Sequence, residues 1–188
     1  MKNMTPHNNL PLAQGLVKLE ELEYRLCMMF NRTSRTIAVR RFFRLVSRLG
    51  DGMFWYALMA ALAMFQGTAG RIAALQMGLT ALIGVIIYKL LKENLVRERP
   101  FITYQSIECG CPPLDRYSFP SGHTLQAVLF STLALAWFPG LAVLLVPFTV
   151  LVALSRMVLG LHYPTDVICG AMLGGALAGC SLWLFMPA

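Results

Sequence analysis

Five apolar runs constrain this chain more than anything else in it. They cover residues 52–67, 71–91, 121–138, 140–159 and 164–186. Each is near the ~20 residues a helix needs to cross the hydrocarbon core of a bilayer. The first is short and requires support from neighbouring helices or a locally thinner bilayer. Turn formers mark the joints: Gly67 and Gly70 after the first run, Pro139-Gly140 between the third and fourth, and Pro164 where the last begins. With 57% hydrophobic and 13% charged residues and a mean hydropathy of +0.61, the chain is too apolar for an ordinary soluble domain. The expected fold class is all-α, a polytopic membrane helix bundle of about five transmembrane helices plus N-terminal amphipathic helices. Two parts are predicted: residues 1–50 as a basic amphipathic interfacial segment and residues 51–188 as the transmembrane domain.

Residues 1–50 hold nine of the sixteen Lys and Arg, against three Glu. A basic flank beside apolar spans points to anionic lipid headgroups and away from nucleic acid. Over 37–49, Phe42, Leu45, Val46 and Leu49 recur at helical spacing, with Arg40, Arg44 and Arg48 on another face. This pattern predicts a basic helix lying on the membrane surface. Residues 16–30 put Leu19, Leu22, Leu26 and Met29 in phase, either against the membrane or as a collar on the bundle. No cleavable signal peptide is expected, because Pro6, Pro11 and the Glu20, Glu21, Glu23 cluster interrupt the first thirty residues. The five cysteines lack zinc or Cys-x-x-Cys spacing, and Cys27, Cys169 and Cys180 read as small buried residues. Gly170, Gly174, Gly175 and Gly179 form two small-xxx-small patterns suited to close helix packing.

The polar residues near the apolar runs carry the functional information. A cation at the bilayer centre costs on the order of 3 kcal/mol or more, so such groups must line a polar cavity or bind something at the interface. The second run ends just before Lys92 and Arg99, and the third starts at Ser121-Gly122-His123. The fourth ends at Ser155-Arg156 and His162, and the fifth starts near Asp166. Antiparallel helices joined in order bring all of these to one side of the membrane. Three cations, two histidines and one aspartate then converge as an anion site with titratable groups beside it. The connection over about 92–120 is long enough to carry function.

Lys92-x6-Arg99-Pro100, Pro120-Ser121-Gly122-His123 and Ser155-Arg156-x5-His162-x3-Asp166 resemble the three-part signature of the type-2 phosphatidic acid phosphatase superfamily, and every fixed position is filled. The residue chemistry agrees. Arg99 and Arg156 offer planar forks for phosphate oxygens, and Lys92 adds a point charge. Ser121 and Gly122 sit at a helix N-terminus, where free backbone N–H groups point at an anion. His162 is the candidate nucleophile, with Asp166 four residues on to accept the proton of one ring nitrogen. The resemblance implies the same role and a phosphohistidine intermediate. His123 is then the general acid for the leaving oxygen and later the base for water. No metal or other cofactor is implied, because no carboxylate cluster of the kind that holds Mg²⁺ is visible.

The membrane setting makes a lipid phosphate the expected partner. The resemblance suggests undecaprenyl diphosphate, phosphatidic acid, phosphatidylglycerol phosphate or a lipid A phosphate. The alternatives are phosphotransfer from the same site, a vanadium haloperoxidase, which the apolar spans oppose, and a lipid-binding scaffold, which the intact histidine pair opposes. The expected location is a bacterial inner membrane. Its sidedness pits two rules against each other. Fifteen of sixteen Lys and Arg fall on the site's side in a five-span arrangement, with Arg71 opposite, which favours a cytoplasmic site. The resemblance implies an extracytoplasmic one, and that is the expectation adopted.

Overall fold

A computed structural model describes residues 11–113 and 115–185. The expectation of His7 in an unstructured start lies outside that range. The described chain is all-helical, without strands. Helix α1 spans Pro11–Thr33 and α2 spans Ile37–Arg48. A kinked turn at Leu49–Met53 leads into α3, Phe54–Phe65. Helix α4 is Gly67–Asn94, α5 is the single turn Pro100–Thr103, and α6 is Gly122–Trp137. Helix α7, Ala142–Val158, and α8, Pro164–Phe185, complete the bundle.

Three helical stretches are long and apolar enough to cross a membrane: Gly67–Asn94, Pro139–Val158 and Pro164–Phe185. The other two predicted runs fold as helices of 12 and 16 residues. At 1.5 Å per residue these reach about 18 and 24 Å, short of the ~30 Å hydrocarbon core. Helix α4 is longer than its apolar run of 71–91, because residues 67–70 precede that run and residues 92–94 continue the helix beyond it. The outward faces are apolar. On α4, Leu75, Leu79, Leu82, Ile86 and Leu90 are each at least half exposed, and on α7 Val143 is 88% exposed. An apolar exterior of this extent belongs against lipid, so this is an integral membrane protein.

Inside, Trp55 is fully buried, stacks on Phe130 and donates its indole N–H to the Gly50 carbonyl at 3.2 Å. Helices α6 and α8 form the most extensive pairing. A Cβ on Gly170 would stand 2.5 Å from the Ser121 carbonyl oxygen, and one on Gly174 only 2.3 Å from that of Leu125. That first small-xxx-small pair therefore serves α6. Gly179 faces open space, so the second pair makes no such contact.

Helix α1 carries an apolar stripe outward and a polar one inward. Glu23, Cys27 and Asn31, spaced by four, are buried, while Leu19, Leu22 and Met29 are exposed. The buried stripe is chosen by hydrogen bonding. Asn31 donates to the carbonyls of Glu108 and Val158 and accepts the Glu108 N–H, which ties α1 to a loop and to the end of α7. Of the cysteines predicted as small buried residues, Cys27 is buried, Cys169 is half-buried and Cys180 is exposed; all five are free thiols.

Candidate active site

The predicted residues meet at one end of the bundle. The loop after α7 carries His162, whose side chain is 2% exposed. Its Nδ1 lies 3.4 Å from Asp166 Oδ2, a long contact that falls short of a well-directed hydrogen bond. Its Nε2 lies 3.3 Å from Arg99 Nη1. A guanidinium can only donate, so Nε2 presents its lone pair and the ring proton belongs on Nδ1, facing the carboxylate. Burial pushes the His162 pKa well below its ordinary value, and the charges of Arg156, Arg99 and Lys92 push it further. A lowered pKa favours the neutral ring, the form a nucleophile needs.

Asp166 is fully buried in the first turn of α8 and held from several sides. Its Oδ2 accepts the Tyr163 N–H at 2.9 Å and its Oδ1 accepts Arg97 Nη1 at 2.7 Å. Arg97 also donates to Glu23 Oε2 of α1 at 2.5 Å, and its guanidinium stacks on the Tyr163 ring at 3.9 Å. Glu23 in turn accepts the Thr165 N–H at 3.3 Å. A chain of contacts therefore runs from the N-terminal helix through Arg97 to the carboxylate behind His162.

The turn before α6 is fixed to the same place. The Ser121 N–H donates to the Asp166 carbonyl at 3.0 Å, and its hydroxyl pairs with Thr124 at 3.0 Å. Ser121 is wholly buried and engaged in holding the turn, so the amides of Gly122 and His123 are the leading donors of α6. Gly122 is required by packing, because a Cβ there would come within 2.9 Å of the Tyr88 ring. His123 Nε2 lies 3.5 Å from Asp51 Oδ1, which the kink at Leu49–Met53 delivers. Burial raises the Asp51 pKa, and Arg156 works against the rise.

The cations are close together and mostly buried: Lys92, Arg99 and Arg156 are 7%, 2% and 4% exposed. Arg156 donates to Ser47 of α2, and its Nε has no hydrogen-bond partner among the described residues. Lys92 and Arg99 both bind the carboxylate of Asp115, at 2.7 Å each, and Tyr88 donates to it at 2.8 Å. His123, Asp51 and Arg156 face a cavity of about 700 Å³, with Arg41, Arg44 and Arg48 of α2 at its rim. His162 is not among its lining residues. Among the described residues, no group of three or more His, Cys, Asp and Glu is placed to hold a metal ion.

Asp115, Tyr88, Glu23 and Asp51 lie outside the three motif blocks, and Arg97 fills an unspecified position inside the first. Asp115 sits in the long loop with no helical phase to mark it. Glu23 had one available signal, its four-residue spacing with Cys27 and Asn31.

Comparison with known proteins bears on this geometry. Residues 73–187 match the sequence model of the PAP2 superfamily, well over half of the chain. The chain belongs to that superfamily. Decaprenylphosphoryl-5-phosphoribose phosphatase of Mycolicibacterium smegmatis is 38% identical over 132 residues, 68% of each protein. Undecaprenyl-diphosphatase BcrC of Bacillus subtilis is 31% identical over 131 residues, 69% of this chain and 67% of its own. The crystal structure of Aquifex aeolicus LpxE matches with a TM-score of 0.74 at 25% identity, over 85% of this chain and 93% of that one. This PAP2 member is an enzyme of the phosphatase class.

Proposed function

We propose that this PAP2 protein is a metal-independent lipid phosphatase that works through a phosphohistidine. The observation that carries the reading is the placement of the His162 ring, with Nε2 3.3 Å from Arg99 Nη1 and Nδ1 3.4 Å from Asp166 Oδ2. His162 Nε2 attacks phosphorus as the bond to the leaving oxygen breaks, and His123 gives that oxygen its proton. Water, deprotonated by His123, then displaces the phosphate from His162 and restores both rings. Lys92, Arg99, Arg156 and the amides of Gly122 and His123 balance charge on the equatorial oxygens.

The substrate is a membrane lipid bearing a terminal phosphate, of the undecaprenyl diphosphate, phosphatidic acid, phosphatidylglycerol phosphate or lipid A type. The names of the relatives support that class. We further propose that α3 and α6 complete a five-span bundle, that residues 1–50 are interfacial, and that the site faces outward from a bacterial inner membrane. The exposed leucines of α1 suit the interfacial role.

Purified protein in detergent tests the chemistry. His162→Ala should lower phosphate release from a lipid monophosphate or diphosphate by about 10⁴ or more, the scale of losing a nucleophile or its orienting partner. Brief reaction with a ³²P-labelled substrate should leave label on the wild type but not on His162→Ala. EDTA should not change the rate. Unimpaired release by the variant would end this reading.

A further inference from the structure

The anion that Lys92 and Arg99 hold in this structure belongs to the protein itself. Asp115 Oδ1 accepts Arg99 Nη2 at 2.7 Å, and Oδ2 meets Lys92 Nζ at 2.7 Å. Tyr88 donates its hydroxyl to the same Oδ2 at 2.8 Å and accepts from Lys92 at 2.6 Å. Arg99 Nε closes the set on the Asp115 carbonyl at 3.1 Å. The same guanidinium is 3.3 Å from His162 Nε2. A carboxylate thus sits beside the proposed nucleophile, on the cations proposed to bind phosphate. Burial opposes its charge, but the hydrogen bonds from Lys92 and Arg99 outweigh it and hold the carboxyl below its ordinary pKa.

We propose that Asp115 is a specificity-determining residue, an internal anion that yields its seat to a dianionic terminal phosphate and withholds it from monoanionic phosphodiesters. The inference rests on the reading of Lys92 and Arg99 as phosphate binders. A membrane surface is crowded with phosphodiester headgroups, each carrying one negative charge. A bare cationic pocket would fill with them. Asp115 carries the same single charge and is tethered in place, so its effective concentration at the cations is in the millimolar range or above. A diester gains no charge advantage over it. A phosphomonoester, or the end of a diphosphate, brings a charge of about −1.5 to −2 and three acceptor oxygens, against one charge and two oxygens for the carboxylate. Release is sterically open, since the Asp115 side chain is 35% exposed and lies on a loop.

Direct binding to the full-length protein in detergent, by calorimetry, tests this without turnover. The probes are orthophosphate and dimethyl phosphate, the second a monoanionic diester. Wild type should bind orthophosphate and reject dimethyl phosphate. If Asp115 holds the seat about nine-tenths of the time, Asp115→Asn should bind orthophosphate about tenfold more tightly and also bind dimethyl phosphate. Tyr88→Phe, which removes one of the carboxylate's donors, should shift both affinities the same way to a smaller degree. Wild type that binds dimethyl phosphate as well as orthophosphate overturns the proposal without any variant. If wild type prefers orthophosphate but Asp115→Asn gains affinity for neither probe, the Asp115 assignment falls and the phosphate seat stands. If no form binds orthophosphate, the reading of Lys92 and Arg99 falls with it.

Discussion

His162 lies behind the cations with Arg99 near one ring nitrogen and Asp166 near the other, its side chain 2% exposed. His123 lines an open cavity of about 700 Å³ and meets the Asp51 carboxylate at 3.5 Å. One histidine is braced by a relay reaching Glu23, 139 residues earlier in the chain; the other sits in the first turn of α6 with its side chain lining the cavity. The contrast fits a division of labour. A nucleophile needs one orientation and one tautomer, which bracing supplies. An acid that protonates many kinds of leaving oxygen, and then admits water, needs access. Rigidity and openness thus fall on different elements, the loop after α7 and the first turn of α6, which the hydrogen bond from the Ser121 N–H to the Asp166 carbonyl joins.

The largest test of that contrast is leaving-group dependence. His123→Ala should lower lipid phosphate release by about 10²–10⁴, the range of general acid–base catalysis. The loss should shrink for p-nitrophenyl phosphate, whose leaving group needs no proton, whereas His162→Ala should be equally inactive on both. Equal losses for the His123 variant on both substrates would remove its role as acid. Next in size is the brace. Arg97→Ala leaves Asp166 and Glu23 buried without their cation, and removing one partner of a buried pair costs about 3 kcal/mol or more. Thermal unfolding in detergent should show it, and Glu23→Gln should cost less because Asp166 keeps Arg97. The smallest effect is protonation. In ¹⁵N-histidine NMR of ligand-free protein, His162 should stay neutral at pH 6.5, because Arg156, Arg99 and Lys92 face it and its folded pKa is lowered despite the opposing charge of Asp115. Titration at or above that pH would contradict the buried-cation environment.

Much of this site can be read from the chain because the family chemistry is written at fixed spacings. Lys92, Arg99, His123, Arg156, His162 and Asp166 each stand where an apolar run meets a turn, and antiparallel helices leave them no choice of side. What escapes reading is whatever touches them from afar. Arg97 pairs with a carboxylate 69 residues away, and Asp115 reaches back 16 residues across a loop. No local period announces such contacts. The α1 facing stays open in the sequence for a related reason: an apolar stripe is ordinarily the buried one, but in a membrane the solvent is apolar too. Glu23 and Asn31 turn inward because the bundle end offers them partners that lipid does not. The short α3 and α6 nearly fill their apolar runs, 52–67 and 121–138, so their length is that of the runs themselves.

The glycine contacts between α6 and α8 have a consequence for traffic. Two backbones that approach within the width of a methyl group leave no slot for an acyl or prenyl tail, so that seam is closed to anything sliding in from the bilayer. The cavity opens elsewhere, under α2 and beside the α3 kink. On the proposed reading, a lipid headgroup that reaches His123 through this cavity passes Arg41, Arg44 and Arg48.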